Sequence, residues 1–475
     1  MRKIIYKEFV RTHGNHWTTR IFCIFGADNK LILNPLHTHL VNTFNHTLQR
    51  IIARLAAFSF ALGIQSFVLQ CLTGILLMTQ YEPSVRPAES ATGRNVVMLE
   101  ITKTLRHAPT KTTYTASELL FAEYDTATNA PIYALDTLRS ASRIITHPDS
   151  KQALLPNAAY FSVEQAIMRG ADYGWLVRGI HQAAANILVA SILLAALCVC
   201  TLRIMIQNSN EQTSKQAALV CLGAACVLGS GITGYILPFD TRSFAALEIA
   251  LSTLQSAPLL GNALAGILRG GSALGTATLL KMTTLHFILL PSLTIACFWA
   301  IRHFKQGNYF EMYFGSKKLE HGIIACALTC ACVCWAGYAT SLAPTLPADL
   351  TQAPLHTPAD VPAWYAYPAY LALKMFPANF VLGASIGAVL LCGAVLIFST
   401  ILSIPRAVQR SIDAALLVCI AAWSVLSLWG IVQHLALMGG SHLSIRENVQ
   451  ETIIVTIILT LVNAAILLAL KRKSA

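Results

Sequence analysis

One of the longest apolar runs of the chain begins with Tyr173-Gly174-Trp175-Leu176-Val177-Arg178-Gly179-Ile180-His181, and another begins with Thr283-Thr284-Leu285-His286-Phe287-Ile288-Leu289-Leu290-Pro291. Each run is long enough to cross about 30 Å of hydrocarbon as a helix. Placing a histidine in such a helix costs free energy, so His181 and His286 are candidate functional residues. Two neutral imidazoles facing each other across a helix bundle suit the axial positions of heme iron. The alternative for either residue alone is a polar side chain near the water interface.

The composition places these runs in a membrane protein. The chain has 475 residues, of which 55% are hydrophobic and only 12% are charged. Eight apolar stretches are long enough to span a bilayer, at residues 55–79, 176–204, 217–238, 284–302, 322–342, 380–404, 413–437 and 451–471. We therefore predict an all-α fold, a polytopic bundle of about eight transmembrane helices with a four-helix core that holds the histidines.

The basic residues predict the orientation of this bundle. They cluster before the first predicted span (Arg2, Lys3, Lys7, Arg11, Arg50, Arg54), after the fourth (Lys305, Lys317, Lys318), after the sixth (Arg406, Arg410) and at the end (Lys471, Arg472, Lys473). With eight spans all of these lie on one side, which the positive-inside rule assigns to the cytoplasm or matrix. The net charge of +12 follows from this topology, so it does not indicate nucleic-acid binding.

The chain is expected to have three parts. Residues 1–54 form a polar segment on the membrane surface, 55–304 form the four-helix core, and 305–475 form a C-terminal transmembrane region. The core carries an insert, residues 82–172, that is much longer than a hairpin needs and is predicted to fold by itself on the external side.

Several motifs, in the order and spacing of the family, resemble cytochrome b, the quinol-handling core subunit of bc1 and b6f complexes. They are the two histidine segments, Leu69-Gln70-Cys71-Leu72-Thr73-Gly74-Ile75, Thr233-Gly234-Tyr235-Ile236-Leu237-Pro238-Phe239, Pro258-Leu259-Leu260-Gly261 with Gly270-Gly271, and Pro362-Ala363-Trp364-Tyr365 with Pro377 and Gly383. The resemblance covers roughly residues 35–400, and 305–475 resembles the subunit IV region of b6f complexes. The motifs are specific as a set and weak one by one.

The resemblance implies a heme site near the external side. In this family the second and fourth helices each carry two histidines, and His181 and His286 match the outer pair. Gly74 and Gly234 match glycines that leave room for the porphyrin, since any side chain would occupy that volume. Arg178 matches an arginine that pairs with a heme propionate; the alternative is an interfacial arginine whose guanidinium reaches the membrane surface.

The inner heme site of the family is altered at every matching position. The inner ligands are expected about four turns, roughly 14 residues, from the outer ones. Those positions hold Ala195 on the second span and Ala300 or Ile301 on the fourth, and the two inner glycines are replaced by Phe60 and Val220. His303 is rotated from the face of His286 and has no facing partner, so an interfacial role or a quinone contact is favoured over ligation. One heme b per chain is therefore expected.

The external quinol pocket that the resemblance implies is altered as well. Trp364 and Tyr365 match one of its walls, but Ala363 stands where the family usually has a glutamate that takes a proton from quinol. Glu248 is a candidate replacement base beside the same pocket; it is equally able to pair with Arg242 near the membrane surface.

Two functions remain open. The first is a cytochrome b-like electron-transfer subunit with a single heme b, working with quinol, a Rieske-type iron–sulfur protein and a cytochrome c1-like subunit, as a homodimer surrounded by lipid. The second is a structural scaffold of a respiratory complex with little or no quinol oxidation. Retention of the outer-site residues favours the first, and loss of the glutamate favours the second. Both place the chain in an energy-transducing membrane, either the mitochondrial inner membrane or a bacterial inner membrane.

Overall fold

The computed structural model describes residues 24–25, 31–32, 35–106, 113–128, 130–132, 142–146, 152–205, 211–257, 260–303, six positions within 327–334, 346–348, 363–377 and 406–438. The chain divides into two compact units, Met1–Ile52 and Ala53–Ala475. The first unit includes two short antiparallel strands, β1 (Ile24–Phe25) and β2 (Leu31–Ile32). All sites discussed below lie in the second unit.

Long helices dominate the described part of the chain. They are α1 (Pro35–Met78), α3 (Gly174–Met205), α4 (Glu211–Ile236), α8 (Leu290–His303) and α10 (Arg406–Met438), with α8 continuing α7 (Thr276–Thr284) through a π-helical turn. Shorter helices are α2 (Ala158–Phe161), α5 (Thr241–Gln255), α6 (Gly261–Arg269) and α9 (Tyr367–Met375). The chain is a helical, multi-pass membrane protein, as predicted.

Five segments within these helices are long and apolar enough to cross a membrane: Asn45–Met78, Gly174–Met205, Gln216–Ile236, Thr276–Ile301 and Ser411–Val432. They coincide with the first, second, third, fourth and seventh predicted spans. The predicted spans at 380–404 and 451–471 lie outside the described residues, and the span at 322–342 is described at only six positions. The predicted side of the termini stays a prediction.

The fourth span contains a π-helical turn, Leu285–Leu289, around His286. Pro291 lies two residues after the end of this turn. Proline lacks an N–H, and its ring clashes with the carbonyl four residues earlier, here that of Phe287 within the turn. A π-helical turn relieves this clash by widening the helix locally, and such turns are frequent at functional sites. His286 therefore lies in a locally widened turn of the fourth span.

The insert at 82–172 contains β-structure, which the all-α prediction did not include. Its four antiparallel strands are β3 (Val96–Arg106), β4 (Thr113–Asp125), β5 (Ala130–Ile132) and β6 (Ser142–Ile144), in the order β5-β4-β3-β6. Val97, Leu99 and Tyr124 form a small core on this sheet. A second π-helical segment, Ser162–Gly170, connects the insert to α3.

The largest apolar cluster lies among α1, α3, α4, α8 and the 363–366 segment. It contains 14 buried residues, among them Phe60, Ala195, Val220, Ile301 and Tyr365. A buried ion pair adds a polar connection between α3 and α10: the Arg203 guanidinium donates from Nε and Nη2 to the two carboxylate oxygens of Asp413, at 3.0 and 2.8 Å.

Candidate functional site: a paired-histidine centre

The two predicted ligands come together in the structure. His181 lies in the second turn of α3 and His286 lies in the π-helical turn of the fourth span. Their ring centroids are 6.3 Å apart and the ring planes are inclined by 71°. Metal–imidazole bonds of about 2 Å on both sides of one ion place two ring centroids roughly 6 Å apart. The spacing therefore fits one metal ion between the two rings.

Hydrogen bonds fix the protonation of His286. Its Nδ1 lies 2.9 Å from the backbone oxygen of Ser230. A carbonyl oxygen only accepts, so Nδ1 must carry the proton. Nε2 then has the free lone pair that a metal requires.

The same reasoning applies to His181. Its Nδ1 lies 2.9 Å from the Thr73 hydroxyl, which lies 2.7 Å from the backbone oxygen of Leu69. Because the hydroxyl has one proton and donates it to Leu69, His181 donates from Nδ1 and keeps Nε2 bare. The Gln70 side-chain amide also donates to the backbone oxygen of His181. Both imidazoles thus have the tautomer that ligates through Nε2.

The two glycines approach the imidazoles directly. A Cβ added at Gly234 would lie 2.5 Å from Cε1 of His286, and one added at Gly74 would lie 3.3 Å from Cε1 of His181. The first distance is impossible without movement and the second is tight. The glycines therefore allow α1 and α4 to pack against the histidines, in addition to the porphyrin clearance that the sequence suggested.

The pair needs further ligands from outside the protein. Within the described ranges, no group of three or more histidine, cysteine, aspartate or glutamate side chains could hold a metal ion. Two imidazoles supply only two positions of an octahedral ion. A macrocycle that supplies the other four, such as a porphyrin, fits this donor set.

Arg178 has a protein partner. Its Nη1 donates to Oε1 of Glu164 at 3.0 Å, and the Arg178 side chain is 33% exposed. The expected propionate partner is therefore not the sole anion available to it. Glu164 belongs to the π-helical segment before α3, so the ion pair connects the insert to the histidine helix.

The residues at the expected inner heme position pack against one another. Phe60, Ala195, Val220 and Ile301 are all at most 6% exposed and belong to a single apolar cluster. They come from four helices, α1, α3, α4 and α8. Side chains occupy this level of the bundle.

Trp364 and Tyr365 contact the helices of the histidine site. The Trp364 indole N–H donates to the side chain of Asn186 on α3 at 2.8 Å, and the Tyr365 hydroxyl donates to the backbone oxygen of Gly231 on α4 at 3.0 Å. Burial raises the pKa of Tyr365, so its hydroxyl stays protonated as a donor. Asn186 lies between one and two turns after His181 on α3, and Gly231 directly follows Ser230, the α4 partner of His286.

The structure does not bring Glu248 to these aromatic residues. Its side chain is exposed on α5, while Phe244, Leu247 and Leu251 of the same helix are buried in a cluster separate from that of Tyr365. A base for a buried substrate must reach the proton that it removes. The exposed position argues against the proposed replacement role.

Sequence reasoning missed the residues that hydrogen-bond to the histidines, namely Thr73, Gln70 and Ser230. It also missed Glu164, which pairs with Arg178. One signal was present: each clearance glycine follows a threonine, in Thr73-Gly74 and Thr233-Gly234. This repeat on two helices marks an approximate two-fold arrangement of the site.

Comparisons with known proteins all point to one family. A family model for cytochrome b/b6/petB matches residues 155–306, and one for the C-terminal part of cytochrome b, b6/petD, matches residues 351–462. The chain is 34% identical over 154 residues to cytochrome b6 of Oltmannsiellopsis viridis, covering 32% of this chain and 69% of that protein. It is 33% identical over 147 residues to cytochrome b6 of Bigelowiella natans, covering 30% and 66%.

The chain thus spans about two thirds of the length of these relatives. A solved chain described as "Hyperthermophilic respiratory Complex III" superposes with a TM-score of 0.46 at 15% identity, covering 79% of this chain and 92% of that chain. The two family models together extend over both the histidine core and the C-terminal region, and the chain belongs to the cytochrome b family.

Proposed function

We propose that the chain is the electron-transfer subunit of a bc1-type quinol-oxidising complex and that it binds a single heme b between His181 and His286. The observation that carries this is the pair of facing imidazoles, 6.3 Å apart, each with its proton held on Nδ1. When bound, the heme iron would supply one-electron exchange. The chain's residues hold the two ligands, exclude water from them and set their basicity.

The count of one heme follows from the packing at the inner level. A porphyrin there would have to displace Phe60, Val220 and Ile301, which are at most 6% exposed. Ala195, which is 0% exposed, has no ligating atom. The inner level therefore favours side-chain packing over a second cofactor.

The proposed surroundings follow from the family. A quinol pocket would be bounded by Trp364 and Tyr365, and Arg178 would share its guanidinium between Glu164 and a heme propionate. The partners would be a Rieske-type iron–sulfur protein and a cytochrome c1-like subunit that contact the 82–172 insert, in a homodimer within the lipid of an energy-transducing membrane.

The test is a pyridine hemochrome assay on the purified protein. We expect one b-type heme per chain in the wild type and none in His181→Ala or His286→Ala. His303→Ala is the matched control and should keep the heme, since that residue is not a ligand in this scheme. Two hemes per chain, or a full heme spectrum in His181→Ala, would overturn the proposal.

A scaffold without turnover is the second candidate. It is favoured by Ala363, which cannot accept a proton, and by the exposed position of Glu248 away from Tyr365. Quinol oxidation by the isolated complex separates the two functions. A heme-containing complex that does not oxidise quinol with an acceptor present would establish the scaffold.

A further inference from the structure

The two imidazoles of the histidine site are held by different kinds of acceptor. His286 donates to the backbone oxygen of Ser230, whereas His181 donates to a side chain, the Thr73 hydroxyl, both at 2.9 Å. A backbone acceptor is present whatever the residue type. The hydroxyl depends on the identity of one residue.

The equivalent threonine on α4 does not have this role. The Thr233 hydroxyl lies 3.4 Å from Nδ1 of His286, beyond the usual range of an N–H···O hydrogen bond. It donates to the backbone oxygen of Gly229 at 2.9 Å instead. Thr73 and Thr233 therefore occupy matching positions, but only Thr73 makes a short hydrogen bond to its histidine.

The Thr73 hydroxyl is part of a short chain of hydrogen bonds. It accepts from His181 and donates to the backbone oxygen of Leu69 at 2.7 Å. A hydroxyl that donates in this way is polarised and becomes a better acceptor. Thr73 is only 6% exposed, so solvent water has little access to replace its hydroxyl as the acceptor for His181.

We infer that Thr73 is a positioning residue, which keeps His181 in the Nδ1–H tautomer and raises its basicity as an axial ligand. This inference rests on the proposed heme site. An acceptor on the distal nitrogen of a ligating imidazole strengthens the metal–nitrogen bond. A stronger donor favours the ferric state, so Thr73 should lower the reduction potential of the heme.

The experiment compares Thr73→Val, Thr73→Ser and Thr233→Val in the full-length protein. Valine keeps the shape of threonine and removes the hydroxyl, while serine keeps the hydroxyl. The readouts are heme affinity, the midpoint potential from a redox titration, and the low-spin electron paramagnetic resonance signal of the ferric heme.

Thr73→Val should weaken heme binding by roughly tenfold to a hundredfold, the usual cost of losing such a partner. Its potential should rise; a tenfold change in the relative affinity for the two oxidation states corresponds to about 59 mV. Thr73→Ser should restore the wild-type values, and Thr233→Val should leave them unchanged.

Equal effects of the two valine variants would overturn the inference, as would a Thr73→Ser protein that behaves like Thr73→Val. An unchanged Thr73→Val protein would overturn it too. If the wild-type protein binds no heme, the proposed function fails instead, so the two failures are distinguishable.

Discussion

Replacing Gly234 by alanine should disrupt the histidine site, and the structure gives the size of the effect. The new methyl carbon would lie 2.5 Å from Cε1, 3.1 Å from Nδ1 and 3.2 Å from Nε2 of His286. Carbon atoms pack at about 3.5 Å or more, so the ring or the helix must move by about 1 Å. The atoms that the methyl group meets belong to a ring fixed between two helices, which leaves little room to yield.

The displacement is enough to break the hydrogen bond that sets the tautomer. The distance from His286 Nδ1 to the backbone oxygen of Ser230, now 2.9 Å, would lengthen to about 4 Å, where an N–H···O bond is no longer formed. Loss of such a partner alone costs roughly tenfold to a hundredfold in metal affinity. The axial bond itself would also be strained. We expect Gly234→Ala to lose at least that much heme affinity.

Two glycines provide graded controls. Gly74→Ala brings a methyl group to 3.3 Å from His181, so a shift of a few tenths of an ångström suffices and the effect should be smaller. Gly229→Ala, on the same helix as Gly234, meets only Leu290 at 3.4 Å and should bind heme normally. The assay is heme titration of the purified variants, with circular dichroism to check helicity. Equal heme affinity in the Gly234 and Gly74 variants would refute the imidazole-contact explanation and favour simple porphyrin clearance.

Three further predictions concern the rest of the bundle. Asp413→Ala leaves the Arg203 guanidinium buried without its carboxylate and should destabilise the protein by about 3–5 kcal/mol, measured by thermal unfolding in detergent; Asp413→Glu, which keeps a charge, should cost less. Glu248→Gln should leave any quinol oxidation unchanged, because the carboxylate is exposed on α5; a large loss of rate would restore it as a base. Ala363→Glu should increase quinol oxidation by a complex with its acceptor docked, and no change would favour the scaffold.

The histidine pair could be predicted because a polar residue in an apolar helix stands out. His181 and His286 each interrupt a long hydrophobic run, and the resemblance to one family then matched them with that family's outer pair of heme ligands. Thr73 gave no such signal. A threonine inside a helix is ordinarily satisfied by the carbonyl four residues earlier, as both Thr73 and Thr233 are. Only the three-dimensional contact distinguishes the one that also accepts from a histidine.

The exposed position of Glu248 could not be predicted from the sequence. Helical periodicity puts it within about 40–60° of Phe244 and Leu251 on the α5 surface, so the sequence alone cannot say whether it faces the core. The sheet in the insert was missed for a different reason. Val96–Leu99 are all buried, at most 3% exposed, so this strand lacks the alternation of polar and apolar residues that identifies a half-exposed strand.

The level of the histidine pair and the level of the expected inner heme differ in packing as well as in the residues at the ligand positions. At the outer level, glycines and threonines bring four helices close to two imidazoles. At the level of the expected inner heme, the side chains of Phe60, Val220 and Ile301 are packed so closely that each is at most 6% exposed. Introducing histidines alone at the expected inner ligand positions would overpack this closely packed cluster, and overpacking is itself destabilising.

Binding of a second heme at this level would therefore require coordinated changes on four helices, because the side chains of Phe60, Ala195, Val220 and Ile301 belong to one buried cluster. The buried Arg203–Asp413 pair connects α3 to α10, so the helix that would have to carry an inner ligand at position 195 is also fixed to the C-terminal region. The redox chemistry proposed for this chain would then take place at the level of the histidine pair. There α3 carries His181 and Asn186, the partner of Trp364, while α4 carries Ser230 and Gly231, the partners of His286 and Tyr365.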